Sequence, residues 1–365
     1  MKMFTILNKL SKKQMIWFSV VLISLILFAV LTMTANSLKA SLDDQRAALR
    51  WSEDGGFAQV SCYFADSESL SLNDIMSFRN QIGKNLREAS FANENSGGRL
   101  YIDAYSSIGE VTIKSNRSSL DTKAIGIGGD FFLFHPLHLV SGAYFSGHDL
   151  MKDAVILDEE AAWQLFGSSD IAGMPVMIGG VPHYVRGVIR RESGRLWAAT
   201  GLNSGVAYIS AESLAAYGRT AGIQQYEIVM PNPVTGFAYR VALEKFGYNE
   251  AQMLVVDNSA RFGLEPLIKV IAAAGTRSMQ SDTIRFPYWE NYARGFEDIL
   301  AFMLVFQGLF LGIAGIVGSV MLFLGYRRRT WTWKGVLLVV FAFLKKSFEI
   351  SYKFIHKKLM KKRIV

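Results

Sequence analysis

Two long apolar runs stand apart from the rest of the chain, where apolar and polar residues alternate with the periods of strands and helices. The runs Met15–Met33 and Ile299–Gly325 contain no charged residue. A helix of about 20 apolar residues crosses the roughly 30 Å hydrocarbon core of a bilayer. The pattern therefore predicts transmembrane helices at 15–34 and 299–325. A cleaved signal peptide is the alternative for the first run, but the run is longer than a usual signal core and lacks an A-x-A-like cleavage site.

Residues 35–298, between the two runs, carry strand and helix patterns in mixed order without internal repeats. Such an order predicts an α+β fold, and the length favours two lobes over one. The predicted strands lie at 57–64, 99–106, 110–114, 122–128, 206–210, 225–231 and 253–257, and the predicted helices at 211–217, 235–246 and 262–273. The glycine cluster at 126–129 is interpreted as a turn or bulge.

Two local signals indicate where elements begin and end. Ser71 with Asp74 three residues later is a helix-capping pair, and the helix it begins should end near Ala89. Its buried face is marked by Ile75, Phe78, Ile82 and Leu86. Gly179-Gly180 separates two apolar stretches by the two residues of a tight hairpin turn. Pro287 can begin a helix that continues through the second span.

Positive charge is concentrated at the two ends of the chain. Residues 1–34 hold four lysines and no acid, and residues 326–365 hold twelve Lys or Arg and one acid, whereas 35–325 is net negative although the total is +8. Because Lys and Arg mark the cytoplasmic ends of spans, 1–14 and 326–365 are predicted to be cytoplasmic and 35–298 extracellular. Basic residues beside apolar runs favour contact with membrane lipid over nucleic acid.

The tail 326–365 has the pattern of an amphipathic helix lying on the membrane surface. Phe348, Tyr352, Ile355 and Leu359 form an apolar stripe among lysines. The segment 331–344 is short for a further span, and whether it inserts is left open. A solvated basic tail is the alternative. The side chains expected to contact anionic lipid are Arg327, Arg328, Arg329, Lys345, Lys346, Lys357 and Lys358.

Small residues line one face of the second predicted span. Gly308, Gly312, Gly315 and Ser319 recur at spacings of four, three and four. Small faces let helix backbones approach closely in lipid. We expect the first span or a partner's helix, including that of a second copy in a homodimer, to pack there. The alternative is that these glycines reflect only the usual composition of membrane helices.

Patterns for catalysis or cofactor binding are weak. The sequence contains no G-x-x-x-x-G-K-[ST] phosphate loop and no G-x-S-x-G serine elbow. His135 and His138, with His148 or His183, are a candidate metal set, but the proline between the first two disfavours a helix face. The single cysteine, Cys62, is interpreted as a buried apolar position. We expect a non-enzymatic protein without cofactor or metal.

The loop 194–205 is the candidate contact surface for a partner. It places Leu196 and Trp197 among turn residues. The alternative, weighed at least equally, is that Trp197 folds back into the core.

The segment 140–167, VSGAYFSGHDLMKDAVILDEEAAWQLFG, crowds acidic residues around a histidine. Asp158 is a good N-cap for a helix, and Glu159 and Glu160 would lie in its first turn, where acids meet the positive end of the helix dipole. Gly167 is a helix stop. Helix capping therefore explains most of these charges without a catalytic role.

Three segments in this order resemble the periplasmic core domain of MacB-type ABC transporter permeases, the group that includes FtsX-like and lipoprotein-releasing permeases. SGAYFSGHDL is similar to the family's G-R-x-F-x-x-x-D segment, and AVILDEEAAWQLFG to its V-V-L-x-x-x-x-A-x-x-L-F-G. IAGMPVMIGGVPHYVRGVI is similar to its x-G-x-x-I-x-I-x-G-x-x-F-x-V-V-G-V. These segments cover about 50 residues closely.

The resemblance implies a permease subunit that binds no ATP and is driven by a separate ATPase subunit. The family's permeases carry four spans, three of them after the outer domain, whereas this sequence predicts one there. An accessory subunit that pairs with a full permease partner and a reduced relative are therefore alternatives within the family. A membrane-tethered binding or sensing module that acts without an ATPase is the alternative outside it.

Overall fold

The structure, a computed structural model, describes residues 12–53, 55–88, 99–192, 194–200, 205–249, 252–275 and 284–327. The helices are α1 (Lys12–Ala40), α2 (Ala47–Trp51), α3 (Leu72–Glu88), α4 (Phe131–Phe134), α5 (Glu159–Phe166), α6 (Arg195–Ala199), α7 (Ala211–Tyr217), α8 (Phe237–Phe246), α9 (Leu264–Ala272) and α10 (Tyr288–Arg327). The strands are β1 (Phe57–Phe64), β2 (Ile102–Lys114), β3 (Ser119–Gly129), β4 (Leu139–Gly142), β5 (Ala154–Asp158), β6 (Pro175–Ile178), β7 (Val181–Ile189), β8 (Val206–Ser210), β9 (Arg219–Thr220), β10 (Gln225–Pro231) and β11 (Met253–Asp257).

The two long helices, α1 and α10, contain the apolar runs. Both are long and apolar enough to cross a membrane. Helix α10 begins directly after Pro287 and continues without a break to Arg327, which confirms the predicted helix. The chain divides into two compact units, Ala35–Leu304 and the residues before and after it. In the second of these units Gln307 donates a hydrogen bond to Thr32 Oγ1 at 3.2 Å.

The described residues of the unit Ala35–Leu304 form one mixed sheet of 11 strands. The strands follow the order β11-β1-β10-β2-β3-β8-β5-β7-β4, with β6 beside β2 and β7, and β9 beside β2. The pairs β3–β8 and β5–β7 are parallel. The long hairpin of β2 and β3 lies in the middle of the order and connects the two ends of the sheet.

Each end of the sheet has an apolar core of its own, so the predicted lobes share one continuous sheet. In the first lobe α3 and α8 cover β1 and β10, and the rings of Phe78 and Phe246 stack at 3.8 Å. In the second lobe α5 and α7 pack against strands β3 and β5 to β8. A third cluster contains Trp289 from α10, Phe131 from α4 and Ala47 from α2.

The local signals of the sequence are confirmed. Ser71 N donates to Asp74 Oδ2 at 2.8 Å, and Asp74 N donates back to Ser71 Oγ at 3.3 Å, so the two residues form the expected capping box. The hairpin of β6 and β7 turns at Gly179 and Gly180, with φ angles of 59° and 81°. These angles lie in the left-handed region that two-residue turns require.

The acidic segment also folds as the sequence indicates. Asp158 Oδ1 accepts a hydrogen bond from Ala161 N at 2.8 Å and caps α5. Gly167 ends the helix in the left-handed region. Asp158 Oδ2 additionally accepts from Val206 N at 3.1 Å, which connects the cap to β8.

Two sequence predictions about the sheet are wrong. Residues 99–106 and 110–114 are not separate strands, because β2 runs unbroken from Ile102 to Lys114 and pairs with β3 along its length. The cluster 126–129 is not a turn or bulge, because it completes β3. Glycine is needed there for space: a Cβ on Gly126 would lie 3.0 Å from Ala211 Cα, and one on Gly128 would overlap the Tyr105 ring. The predicted tail helix and the end of α3 at Ala89 lie outside the described residues.

Candidate functional site

Strand β1 is buried on both faces, although its sequence alternates between apolar and polar residues. Val60, Cys62 and Phe64 face the core of the first lobe. Gln59 and Ser61, on the opposite face, are fully buried as well. A strand with one polar face usually shows that face to water. Here the polar face carries a network of buried charged side chains instead.

Arg261 is the centre of this network. It follows β11 and is buried, as are Glu290 and Glu297 in the first turns of α10. Its guanidinium donates to both oxygens of Glu290, at 2.8 and 2.9 Å, and to Glu297 Oε1 at 2.7 Å. Burial alone would lower the pKa of Arg261, but the two carboxylates outweigh it and raise that pKa above its ordinary value. The bidentate contact fixes the orientation of both groups.

Neutral polar residues extend the network across the sheet. Asn258 accepts from Arg261 at 2.9 Å and donates to Ser61 Oγ at 2.6 Å. Ser61 Oγ in turn donates to Glu227 Oε1 on β10 at 2.6 Å. Tyr63 donates its hydroxyl to Glu290 Oε2 at 3.0 Å. Burial and the nearby Glu290 raise the pKa of Tyr63 well above its ordinary value, so the hydroxyl stays protonated as a donor.

His135 carries the network to the segment that follows α1. Its imidazole, fully buried after α4, contacts Glu227 through Nε2 and Asp44 through Nδ1, the latter at 2.9 Å. Burial favours the neutral ring, but Glu227 and Asp44 together raise the pKa of His135 to about 9. The ring is therefore protonated at neutral pH and donates from both nitrogens. The indole of Trp289 covers it at 4.3 Å between ring centroids.

Gln59 fixes the short turn that contains Asp44. Its side-chain oxygen accepts from Ala47 N at 2.8 Å, and its nitrogen donates to the Asp44 carbonyl at 2.7 Å. The turn Asp43–Gln45 lies between α1 and α2. The polar network, which comprises Asp44, Gln59, Ser61, Tyr63, His135, Glu227, Asn258, Arg261, Glu290 and Glu297, thus joins the segment after α1 to the start of α10.

A cavity of about 220 Å³ borders the polar network at Asp44. Its lining includes the rings of Trp197, Tyr288 and Tyr292 and the charged residues Arg190 and Glu192. The rings of Trp197 and Tyr292 stack at 3.8 Å, so Trp197 folds back onto the start of α10. Leu196 and Trp197 remain partly accessible. Their contact with a partner stays a prediction.

A protein-family model matches most of the Ala35–Leu304 unit and much of α1. The model described as "MacB-like periplasmic core domain" matches residues 17–244, more than half of the chain. The chain belongs to the MacB-like periplasmic core domain family. Within the polar network of this MacB-like domain, Asp44, His135 and Glu227 lie inside the matched residues, whereas Arg261, Glu290 and Glu297 lie beyond them.

Individual relatives are similar to this chain either over less than a quarter of its length or at sequence identities below 20%. The macrolide export ATP-binding/permease protein MacB of Chromobacterium violaceum is 32% identical over 85 residues, which is 22% of this chain and 13% of that protein. The periplasmic region of MacB from Actinobacillus actinomycetemcomitans is 15% identical at a TM-score of 0.40, covering 61% of this chain and 95% of that one. The extracellular domain of the noncanonic ABC-type transporter YknZ from Gram-positive bacteria is 17% identical at a TM-score of 0.36, covering 55% of this chain and 100% of that one.

The glycine face and the basic residues singled out in the sequence are not members of the polar network of this MacB-like protein. A Cβ on Gly308, Gly312 or Gly315 would meet no atom of the described residues within 4 Å, so there is open space beside these three glycines. Packing of the face against the first span or a partner's helix stays a prediction. Arg327 is exposed at the end of α10, and Arg328, Arg329 and the tail lysines lie outside the described residues.

The candidate metal histidines have other partners or positions. His135 contacts two carboxylates, and His183 lies beside Ser213 Oγ at 3.3 Å in the second lobe. His138 and His148 are largely exposed. Within the ranges that the structure describes, no group of three or more His, Cys, Asp or Glu is placed to hold a metal ion.

Sequence reasoning missed the polar network because its contacts join distant positions. Asp44 and His135 are 91 residues apart, and Glu227 and His135 are 92 apart. One signal was available: Glu290 and Glu297 are seven residues apart on a helix that leads into an apolar span, which places both on the same face. Two carboxylates on one face just before a membrane span indicate a cationic neighbour in the folded chain.

Proposed function

We propose that the chain is a permease-type membrane subunit of an ABC transporter, with ATP hydrolysed by a separate subunit. Its outer MacB-like domain is coupled to the two helices that enter the membrane, and both termini are cytoplasmic. The observation that carries this proposal is the polar network, which joins Asp44, after α1, to Glu290 and Glu297 at the start of α10.

The polar network suits mechanical coupling because its contacts are costly to break. Removing one partner of a buried ion pair leaves an uncompensated charge, at a cost of about 3–5 kcal/mol. The segment after α1, the sheet and the start of α10 are therefore expected to move together. A displacement imposed on the membrane helices by an ATPase would then reach the outer domain through β1 and β10.

Co-purification tests whether an ATPase is engaged. The full chain, extracted from its native membrane in mild detergent, is captured by an affinity tag, and the bound proteins are identified by mass spectrometry. We expect a subunit with a phosphate-binding loop of the ABC type and ATP hydrolysis that depends on that subunit. If neither an ATPase nor a four-span permease is recovered, the proposal is wrong.

A membrane-tethered sensing module is the second candidate function. The aromatic cavity beside Asp44 favours it, because a ligand held by Trp197, Tyr288 and Tyr292 would contact the polar network directly. Such a module would signal through the same two helices without an ATPase. Recovery of the chain without an ATPase, together with a ligand-dependent change in the fluorescence of Trp197, would support this function instead.

A further inference from the structure

Helix α9 presents apolar side chains on two sides. Its inner side, with Leu267 buried and Val270 partly buried, packs in a cluster with Ala35, Leu300, Ala301 and Leu304. A second side carries Leu264, Ile268 and Ile271, which are 66%, 52% and 36% exposed. The spacings of four and three place these three residues in one stripe along the helix.

A narrow charged side completes the circumference of α9. Glu265 and Lys269 form an exposed ion pair at 2.8 Å, one turn apart. At 100° per residue, this pair lies about 100° from the exposed apolar stripe, and the buried side lies on the opposite flank of that stripe. Helix α9 thus has one apolar side packed against the protein, one charged side suited to water, and one apolar side that is exposed among the described residues.

The packing partners of α9 indicate its depth relative to the membrane. Leu300, Ala301 and Leu304 belong to the apolar run Ile299–Gly325, which begins directly after the charged residue Asp298. At 1.5 Å per residue this run is about 40 Å long, against about 30 Å for the hydrocarbon core. Its first turns are therefore expected to lie in the interfacial layer, and α9 lies beside those turns.

We propose that α9 lies in the outer interfacial layer of the membrane, with Leu264, Ile268 and Ile271 inserted among the lipid chains. The apolar stripe then continues the lipid-facing surface of the second span, where Ile299 and Phe302 are also exposed. An apolar face on a helix at this depth is the feature of an in-plane membrane helix. The assignment goes beyond the proposed function, because it anchors the outer domain to the bilayer with or without an ATPase.

Lipid is the occupant that the charges favour. The exposed apolar stripe contains no charged residue, and the Glu265–Lys269 pair beside it has no net charge, so insertion should not require anionic lipid. Burial of the apolar side chains of Leu264, Ile268 and Ile271 is expected to drive the insertion. Zwitterionic phosphatidylcholine is therefore a sufficient probe.

Site-specific fluorescence quenching tests the proposal. The full chain carrying Ile268→Cys is labelled with an environment-sensitive dye and reconstituted as one copy per phosphatidylcholine nanodisc. Lys269→Cys is the matched control on the charged side. Cys62 is fully buried with its thiol pKa raised by burial, so it should stay unlabelled, and the unmodified chain checks this.

We expect spin-labelled lipid to quench the dye at position 268 several-fold more than the dye at 269, and aqueous iodide to show the reverse order. Leu264→Cys should behave as Ile268→Cys does. Equal quenching by iodide at 268 and 269, without quenching by lipid, would overturn the proposal. So would shielding of position 268 that appears only in discs with two copies, because a second chain would then cover the stripe.

Discussion

Arg261 holds Glu290 and Glu297 through three hydrogen bonds in a buried setting, and a fourth bond joins it to Asn258. Of these four side chains it is the only cation. Its replacement would leave both carboxylates without their principal partner. The loss of this counter-charge would follow from the change at Arg261 alone.

Arg261→Gln should therefore lower the free energy of unfolding by about 3–5 kcal/mol, since two buried acids lose their counter-charge. Chemical denaturation of the detergent-solubilised full chain, followed by circular dichroism, measures the change. Arg219→Gln is the control, because the Arg219–Glu110 pair is exposed and should contribute less than about 1 kcal/mol. Equal stability of the two variants would show that the buried pairs contribute little.

His135 should make stability depend on pH. Its pKa is raised from 6.5 to about 9 in the folded chain, so the stabilisation is fully present below pH 6.5 and is lost as pH rises through 9. The difference corresponds to about 3 kcal/mol. Unfolding free energies measured between pH 6 and 10 should fall accordingly.

The variant His135→Gln should remove that part of the pH dependence, whereas His148→Gln, at an exposed position, should retain it. A fall of the same size in the His135→Gln variant would assign the effect to other groups.

At the scale of elements, the glycine-rich end of β3 could not be predicted as a strand from the sequence pattern. Glycines at 126, 128 and 129 resemble a turn because glycine breaks strands in isolation. In the fold they sit where a helix and a tyrosine ring press against the strand. Only the packed neighbours, Ala211 and Tyr105, reveal that Gly126 and Gly128 are required for their small size, whereas Gly129 also has a φ of 66°.

Gly126→Ala should destabilise the domain by about 1–3 kcal/mol, because the added methyl would lie 3.0 Å from the Ala211 backbone and against Ser107 Oγ. Gly56→Ala is the matched control, since a Cβ there would meet nothing within 4 Å. Thermal unfolding of both variants provides the measurement. A Gly126→Ala variant as stable as the control would mean that α7 moves away without cost.

The elements that the sequence predicted well are those determined by neighbours a few residues apart. The Ser71–Asp74 box, the Gly179-Gly180 turn and the Asp158 cap each depend on contacts within three residues or on the turn itself. The unbroken length of β2 depends instead on its pairing with β3. The polar network depends on contacts over many tens of residues, so no local pattern contained it.

At the scale of the whole molecule, the polar network joins two segments that are adjacent in sequence to the apolar helices. Asp44 lies in the segment that follows α1, and Glu290 and Glu297 lie in the first turns of α10. Family membership follows from the match over 17–244. The coupling of the domain to an ATPase is the central claim of the proposed function.

Movement of the outer domain on nucleotide binding tests that claim most directly. A fluorescent donor at Met76→Cys, on the exposed side of α3, is paired with acceptors on the lipid headgroups, in nanodiscs that hold the chain with its co-purified ATPase. We predict that a non-hydrolysable ATP analogue changes the energy-transfer efficiency, and that the chain without the ATPase shows no change. An efficiency that is the same with and without the analogue in the full complex would contradict the account.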